Sequence, residues 1–234
     1  MRYGEVIELG RHKLMCGDAT SREDVMRLVD GEAVDLVLTD PPYGISVVDA
    51  KTKQIGGKGR KYAPVIGDNG TAMMREHWHI LRLVSLRQII WGGQNFTDFL
   101  PPSCGWLFWD KDKGTDKLSF SDGELAYTNF MRRIKKYVQK WNGTNGKSNP
   151  LDGYYHPTQK PVELHAKILE DFAKPGDVVL DCFGGSGTTL IACEITGRKC
   201  LMMEISPEYC DIIRKRYEEL TRSVLPLEAN NAGS

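Results

Sequence analysis

Apolar residues recur along the chain with two alternating periods. Short strand-like runs occupy His12–Gly17, Val34–Thr39, Gln88–Gly92, Trp106–Asp110, Ile134–Val138, Asp177–Cys182 and Lys199–Glu204. Between them, Ser21–Val29, Thr71–Leu86, Pro161–Ala173, Thr188–Thr196 and Pro207–Thr221 space their apolar residues as a helix with one buried stripe does. Pro161 and Pro207 suit a first helical turn, and Ser206 stands where an N-cap would. Strands alternating with helices predict an α/β fold: a mostly parallel sheet covered by helices on both faces. Two stretches interrupt the pattern, 46–69 rich in Gly and Lys and 142–157 rich in Gly and Asn. Loops of that length inside a compact domain predict mobile functional segments. Residues 1–226 read as one domain, and 227–234 as a short frayed tail.

Composition narrows the picture. The 234 residues suffice for one sizeable core. Lys plus Arg and Asp plus Glu are 31 each, so no chain-wide cationic field points to nucleic acid. Any such contact must come from local patches. The six cysteines form no C-x-x-C pair, which argues against a zinc site and for a reduced protein. His77 and His79 lie two apart, on different helix faces, so they do not predict a metal site either. The first ten residues lack the apolar core of a signal peptide, and no run reaches the roughly 18 apolar residues of a membrane span. The expected location is the cytoplasm.

Two motifs carry chemistry. In the first, the apolar strand Val178–Asp181 runs into Cys182-Phe183-Gly184-Gly185-Ser186-Gly187 and then a helix. Glycines there let a ligand approach the backbone, and the helix N-terminus offers free N–H groups. Glu204 ends the next strand, 23 residues after Asp181, where a carboxylate can accept from ribose hydroxyls. The spacing fits neither G-x-G-x-x-G nor a lysine-bearing P-loop.

In the second motif, Asp40-Pro41-Pro42-Tyr43 follows an apolar strand. Adjacent prolines stiffen the loop. It offers a carboxylate, a proline carbonyl and an aromatic ring, the parts needed to hold a planar base with an amino group. An aromatic amine is a poor nucleophile because its lone pair is delocalised. Asp40 and the Pro41 carbonyl can accept its two protons and favour a pyramidal nitrogen, while Tyr43 stacks on the ring.

These motifs, with His156-Pro-Thr-Gln-Lys-Pro161, resemble those of the beta-class (permuted) DNA amino-methyltransferases, in that class's order. The resemblance implies a Rossmann-like, seven-stranded methyltransferase fold and S-adenosylmethionine as methyl donor. It places Asp18, Asp181, Phe183, Gly184, Gly185, Ser186, Gly187 and Glu204 around the donor, with Thr158 and Lys160 at its methionine end. It gives catalysis to Asp40, Pro41, Pro42 and Tyr43. Asp rather than Ser before Pro-Pro implies adenine N6 over cytosine N4. Cys182 stands where many relatives have proline, and the segment expected to read DNA sequence is small.

Double-stranded DNA with a flipped base is the partner this implies. Arg132, Arg133, Lys135, Lys136 and Lys140, interleaved with Tyr137 and Trp141, form one basic patch, and Lys58, Arg60 and Lys61 belong to a second. Such patches suit phosphates and unstacked bases, although a solvated edge strand would look the same. No Pro-Cys occurs, which argues against ring-carbon methylation. Methylation of RNA or a protein amide, or a silent DNA-binding module, are the other readings. The oligomeric state, a homodimer included, is left open.

Overall fold

The computed structural model describes residues 1–43, 72–112, 121–140 and 159–228, the side chains of 223–228 excepted. The expected loops 46–69 and 142–157 lie outside the described residues, as do Thr158, Lys58, Arg60, Lys61 and Trp141. In chain order the elements are β1 (Val6–Leu9), β2 (His12–Cys16), α1 (Arg22–Val29), β3 (Leu36–Thr39), α2 (Ala72–Val84), β4 (Gln88–Trp91), a 3-10 turn (Gly93–Phe96), β5 (Gly105–Asp110), β6 (Gly123–Thr128), β7 (Ile134–Val138), α3 (Val162–Phe172), β8 (Val178–Asp181), α4 (Thr188–Ile195), β9 (Lys199–Glu204) and α5 (Pro207–Glu228).

The α/β class and the mostly parallel sheet are as expected. The strand count is not: among the described residues nine strands, rather than seven, pair in the order β1-β2-β9-β8-β3-β4-β6-β5-β7. Both additions are antiparallel neighbours. β1 folds back on β2 through Gly10 and Arg11, with Leu9 opposite His12. Gly10 has φ 57, as the first residue of a two-residue hairpin loop often requires. β6 runs antiparallel between β4 and β5. Its Glu-Leu-Ala-Tyr-Thr is too mixed in polarity to stand out among apolar runs.

Local signals explain the helix ends. Ser21 caps α1 by accepting from the Asp24 amide at 3.2 Å, and left-handed Asp30 closes it. Ser206 caps α5, its hydroxyl accepting from the Tyr209 amide at 3.4 Å. That helix continues to Glu228, past the expected Thr221.

Side chains alternate through the sheet, and both faces are apolar. Leu14, Leu36, Leu38, Ile89, Trp91, Val179 and Met202 share one core with α3, α4 and α5. Met15, Val37, Ile90, Leu180, Leu201 and Met203 share the other with α1 and α2. Five of the six cysteines are buried, and Cys104 is exposed. No helix among the described residues is long and apolar enough to cross a membrane.

This topology fixes where a ligand goes. β2, β9, β8, β3 and β4 are mutually parallel, so their C-terminal ends share one edge. From β8 the chain crosses through α4 to β9 on one side. From β3 it crosses through α2 to β4 on the other. The β8/β3 boundary is therefore a topological switch point, where a crevice opens beyond the strand ends.

Candidate active site

Asp181 ends β8 and Asp40 follows the end of β3, so the two motifs meet at that crevice. Asp181 itself is buried and turned inward. Its Oδ1 accepts from the Thr39 hydroxyl at 2.9 Å and the Phe183 amide at 3.1 Å, and its Oδ2 from the Thr189 hydroxyl at 2.6 Å. Burial pushes its carboxyl up to about 7. Asp181 thus ties the glycine turn to the residue preceding Asp40. Behind it, His165 of α3 is 3.1 Å from the Thr189 hydroxyl and is kept neutral by burial, its pKa lowered to about 3.

The glycine turn is shaped by contacts that exclude larger residues. A Cβ on Gly184 would lie 2.9 Å from the Met202 side chain and 3.1 Å from the Met203 carbonyl. Gly185 and Gly187 have φ 52 and 84. Gly187 is the N-cap of α4, and the Ser186 carbonyl accepts from Arg216 at 2.9 Å. Glu204, at the tip of β9, accepts from the Gly185 amide at 2.7 Å and the Ser206 amide at 2.9 Å. Burial lifts its carboxyl to about 7 against those bonds. Asp18, after β2, is half-buried and accepts from the backbone and hydroxyl of Thr20, each at 2.8 Å. Phe183 meets His77 edge-on at 4.9 Å, and His77 binds the Ala19 carbonyl at 2.8 Å. His77 thereby joins the Asp18 loop to the glycine turn, a structural role.

At the other motif, Asp40 Oδ1 accepts from the Tyr43 hydroxyl at 2.8 Å and Asp40 Oδ2 pairs with the Lys160 ammonium. Lys160 was expected at the methionine end of the donor. It lies between Asp40, the Tyr43 hydroxyl at 3.3 Å and Glu124 at 3.3 Å, with its ammonium 5.0 Å from the centre of the Trp91 ring, and its carbonyl accepts from the Thr188 hydroxyl of α4 at 3.2 Å. Burial raises Asp40 above the ordinary carboxylate range, and Lys160 opposes that rise. Burial pushes Lys160 down, but Asp40 and Glu124 overcome it and hold the ammonium charged.

The Tyr43 ring packs over Gly92, which has φ 68. A Cβ there would lie 2.1 Å from a ring carbon. Gly92→Ala is expected to displace Tyr43 and to add about 1–2 kcal/mol of left-handed backbone strain. Thermal melting should show a modest loss and single-turnover assays a large one; unchanged turnover would mean that the ring position is immaterial.

The sequence reading missed Glu124, Lys111 and Gly92. Glu124 stands in a run of mixed polarity, which offers no local signal. The basic patch of β7 is partly corrected. Lys135 pairs with Asp171 at 2.6 Å and Lys136 with Asp110 at 2.7 Å. Tyr137 is buried with its hydroxyl 2.6 Å from Asp171, so it is no platform for a base. β7 is parallel to β5, and both run with β4. Lys140 therefore lies towards the site edge. Arg132 and Arg133 precede β7 at the opposite edge, a five-residue strand or about 16 Å away. Among the described residues no cluster of metal ligands occurs.

The family model described as DNA methylase matches residues 90–215, more than half of the chain. A putative methylase of Escherichia coli (strain K12), YubD, is 26% identical, with 88% of this chain and 92% of that protein covered. The type II methyltransferase M2.MboI of Moraxella bovis is 24% identical, with 85% of each covered. Among solved structures, the M1.HpyAVI–SAM complex superposes with a TM-score of 0.60 at 19% identity, covering 87% of this chain and 97% of that one. At that identity the likeness is one of fold.

Proposed function

The chain belongs to the DNA methylase family, and from that premise we propose that it transfers a methyl group from S-adenosylmethionine to the N6 amine of adenine in double-stranded DNA. The observation that carries this reading is the meeting of Asp40 and Tyr43 with the Gly184–Gly187 turn at one switch point. Asp rather than Ser before Pro41-Pro42 supports adenine over cytosine N4.

The donor side fits an adenosine-type ligand. Glu204 is a buried carboxylate with a raised proton affinity, a state that two ribose hydroxyls would relieve. The glycine turn leads into the N-terminus of α4, whose free N–H groups suit a carboxylate. Asp18, Phe183 and the 184–187 backbone would surround the remainder, and Asp181 would act as a positioning residue. When bound, S-adenosylmethionine supplies an electrophilic methyl on a sulfonium.

The chain's own part is to bind, orient and accept. Asp40 and the Pro41 carbonyl accept the amine's protons, and the amine nitrogen loses one as it gains the methyl. Tyr43 stacks on the flipped base. Lys160 keeps Asp40 ionised in its buried setting. The whole span 1–226 would act as one catalytic domain.

Phosphate contacts should come from the site edge. Lys140→Ala is expected to reduce the slope of log affinity against log salt by about one, the value for one phosphate. Arg133→Ala should leave it unchanged. The reverse order would place DNA at the other end of the sheet.

The direct test is incubation with unmethylated plasmid and labelled donor, followed by nucleoside mass spectrometry. N6-methyladenine supports the proposal. N4-methylcytosine changes the base, and no transfer despite donor binding overturns it.

A further inference from the structure

Lys160 is held by two carboxylates, of which the reaction above uses only Asp40. The second, Glu124 of β6, lies 3.3 Å from the ammonium, and its other oxygen lies 2.6 Å from the ammonium of Lys111, just beyond β5. The four side chains alternate in sign: Asp40, Lys160, Glu124, Lys111. The inner cation is almost wholly enclosed, at 4% side-chain exposure, while Glu124 is at 25%. Lys111 is itself oriented, 5.0 Å from the centre of the Trp109 ring. A buried Lys–Asp pair alone would give the whole cationic field to Asp40, which would weaken it as a proton acceptor.

We propose that Glu124 is a positioning residue of this site: anchored by Lys111, it holds Lys160 against Asp40 and divides the lysine's charge, so that Asp40 stays ionised yet basic enough to accept from the target amine. The inference rests on the catalytic reading of Asp40 given above, although its electrostatic part does not. Burial pushes Glu124 up, and Lys160 and Lys111 more than reverse this, holding it at about 2, so it is anionic wherever the enzyme would work. The other groups facing Asp40 are Tyr43, protonated with its pKa raised by burial, and Asp181 of β8. His165 of α3, neutral, faces Lys160.

The arrangement has a signature of two opposite signs. Glu124→Gln removes a negative charge and gives Lys160 wholly to Asp40, so the Asp40 titration should move down. Lys111→Met removes the outer cation, so the Asp40 titration should move up. The measurement is carbon-13 NMR titration of the Asp40 carboxyl in the full chain, with the acid limb of kcat as second readout. A purely structural role for Glu124 would leave the titration in place, or move it the same way in both variants, and either result overturns the proposal. Lys111→Met, which keeps an unbranched apolar stem in place of the lysine's, keeps the test alive should Glu124→Gln fail to fold. Opposed titration shifts in a protein that transfers no methyl group would sustain the charge division and sink the catalytic reading. Methyl transfer with unmoved titrations would do the reverse.

Discussion

Asp40→Ala is expected to lower single-turnover methyl transfer by about 1,000-fold, the scale of losing a preorganised polar partner of a transition state, and to leave donor affinity essentially unchanged. The argument is spatial. Asp40 lies beyond β3, while the donor-side groups stand on β8, β9 and α4, and Asp40 takes no part in their hydrogen bonds. Its partners are Tyr43 and Lys160. Removing the carboxylate leaves the Lys160 ammonium with Glu124 as its remaining carboxylate, so some loss of stability accompanies the loss of rate. Rapid-quench transfer and calorimetric donor binding separate the two effects. Loss of donor binding along with transfer would refute the division of roles.

Glu204→Ala is expected to weaken donor binding by about 100-fold or more, from the loss of two hydrogen bonds to a charged acceptor at about 1.5–3 kcal/mol each. The same carboxylate imposes a pH dependence. Burial places its pKa at about 7, and the ionised form is the one that accepts from two hydroxyls. Donor affinity should therefore rise as pH climbs through about 7, and the Ala variant should lose that rise.

The donor-free protein should behave oppositely. Asp181 and Glu204 are both pushed to about 7 from ordinary values of 3.8 and 4.5. Between those limits the folded chain holds protons that the unfolded chain releases. The stabilising contribution is complete below the ordinary values and is lost as pH rises through 7. Calorimetry should show a melting temperature that falls from pH 5 to pH 8 without donor and falls less with it. A flat donor affinity across that range would remove Glu204 from the ribose.

Much of this was legible in the sequence because of how parallel sheets present chemistry. Asp40, Asp181 and Glu204 each stand at or just beyond the C-terminal end of an apolar run. In a parallel sheet all such ends share one edge, so residues far apart in sequence converge without any knowledge of packing. Glycine spacing and the stiff Pro41-Pro42 pair are likewise local, and so are the caps Ser21 and Ser206. Alternating strand and helix periods were enough to determine the α/β class.

Only the tertiary structure decided the rest. β6 runs against its neighbours, and its strand order between β4 and β5 has no local signal, so Glu124 and its contact with Lys160 were invisible. The β7 lysines looked free because their neighbours in sequence carry no acid. Asp171 of α3 and Asp110 of β5 reach them through space. Asp181 looked like a donor contact, yet its oxygens serve Thr39, Thr189 and the Phe183 amide. Sequence fixes which groups stand at the strand tips, because strand direction and period are local. Which group neutralises which depends on strand order and side-chain reach, and those are set by packing the whole sheet.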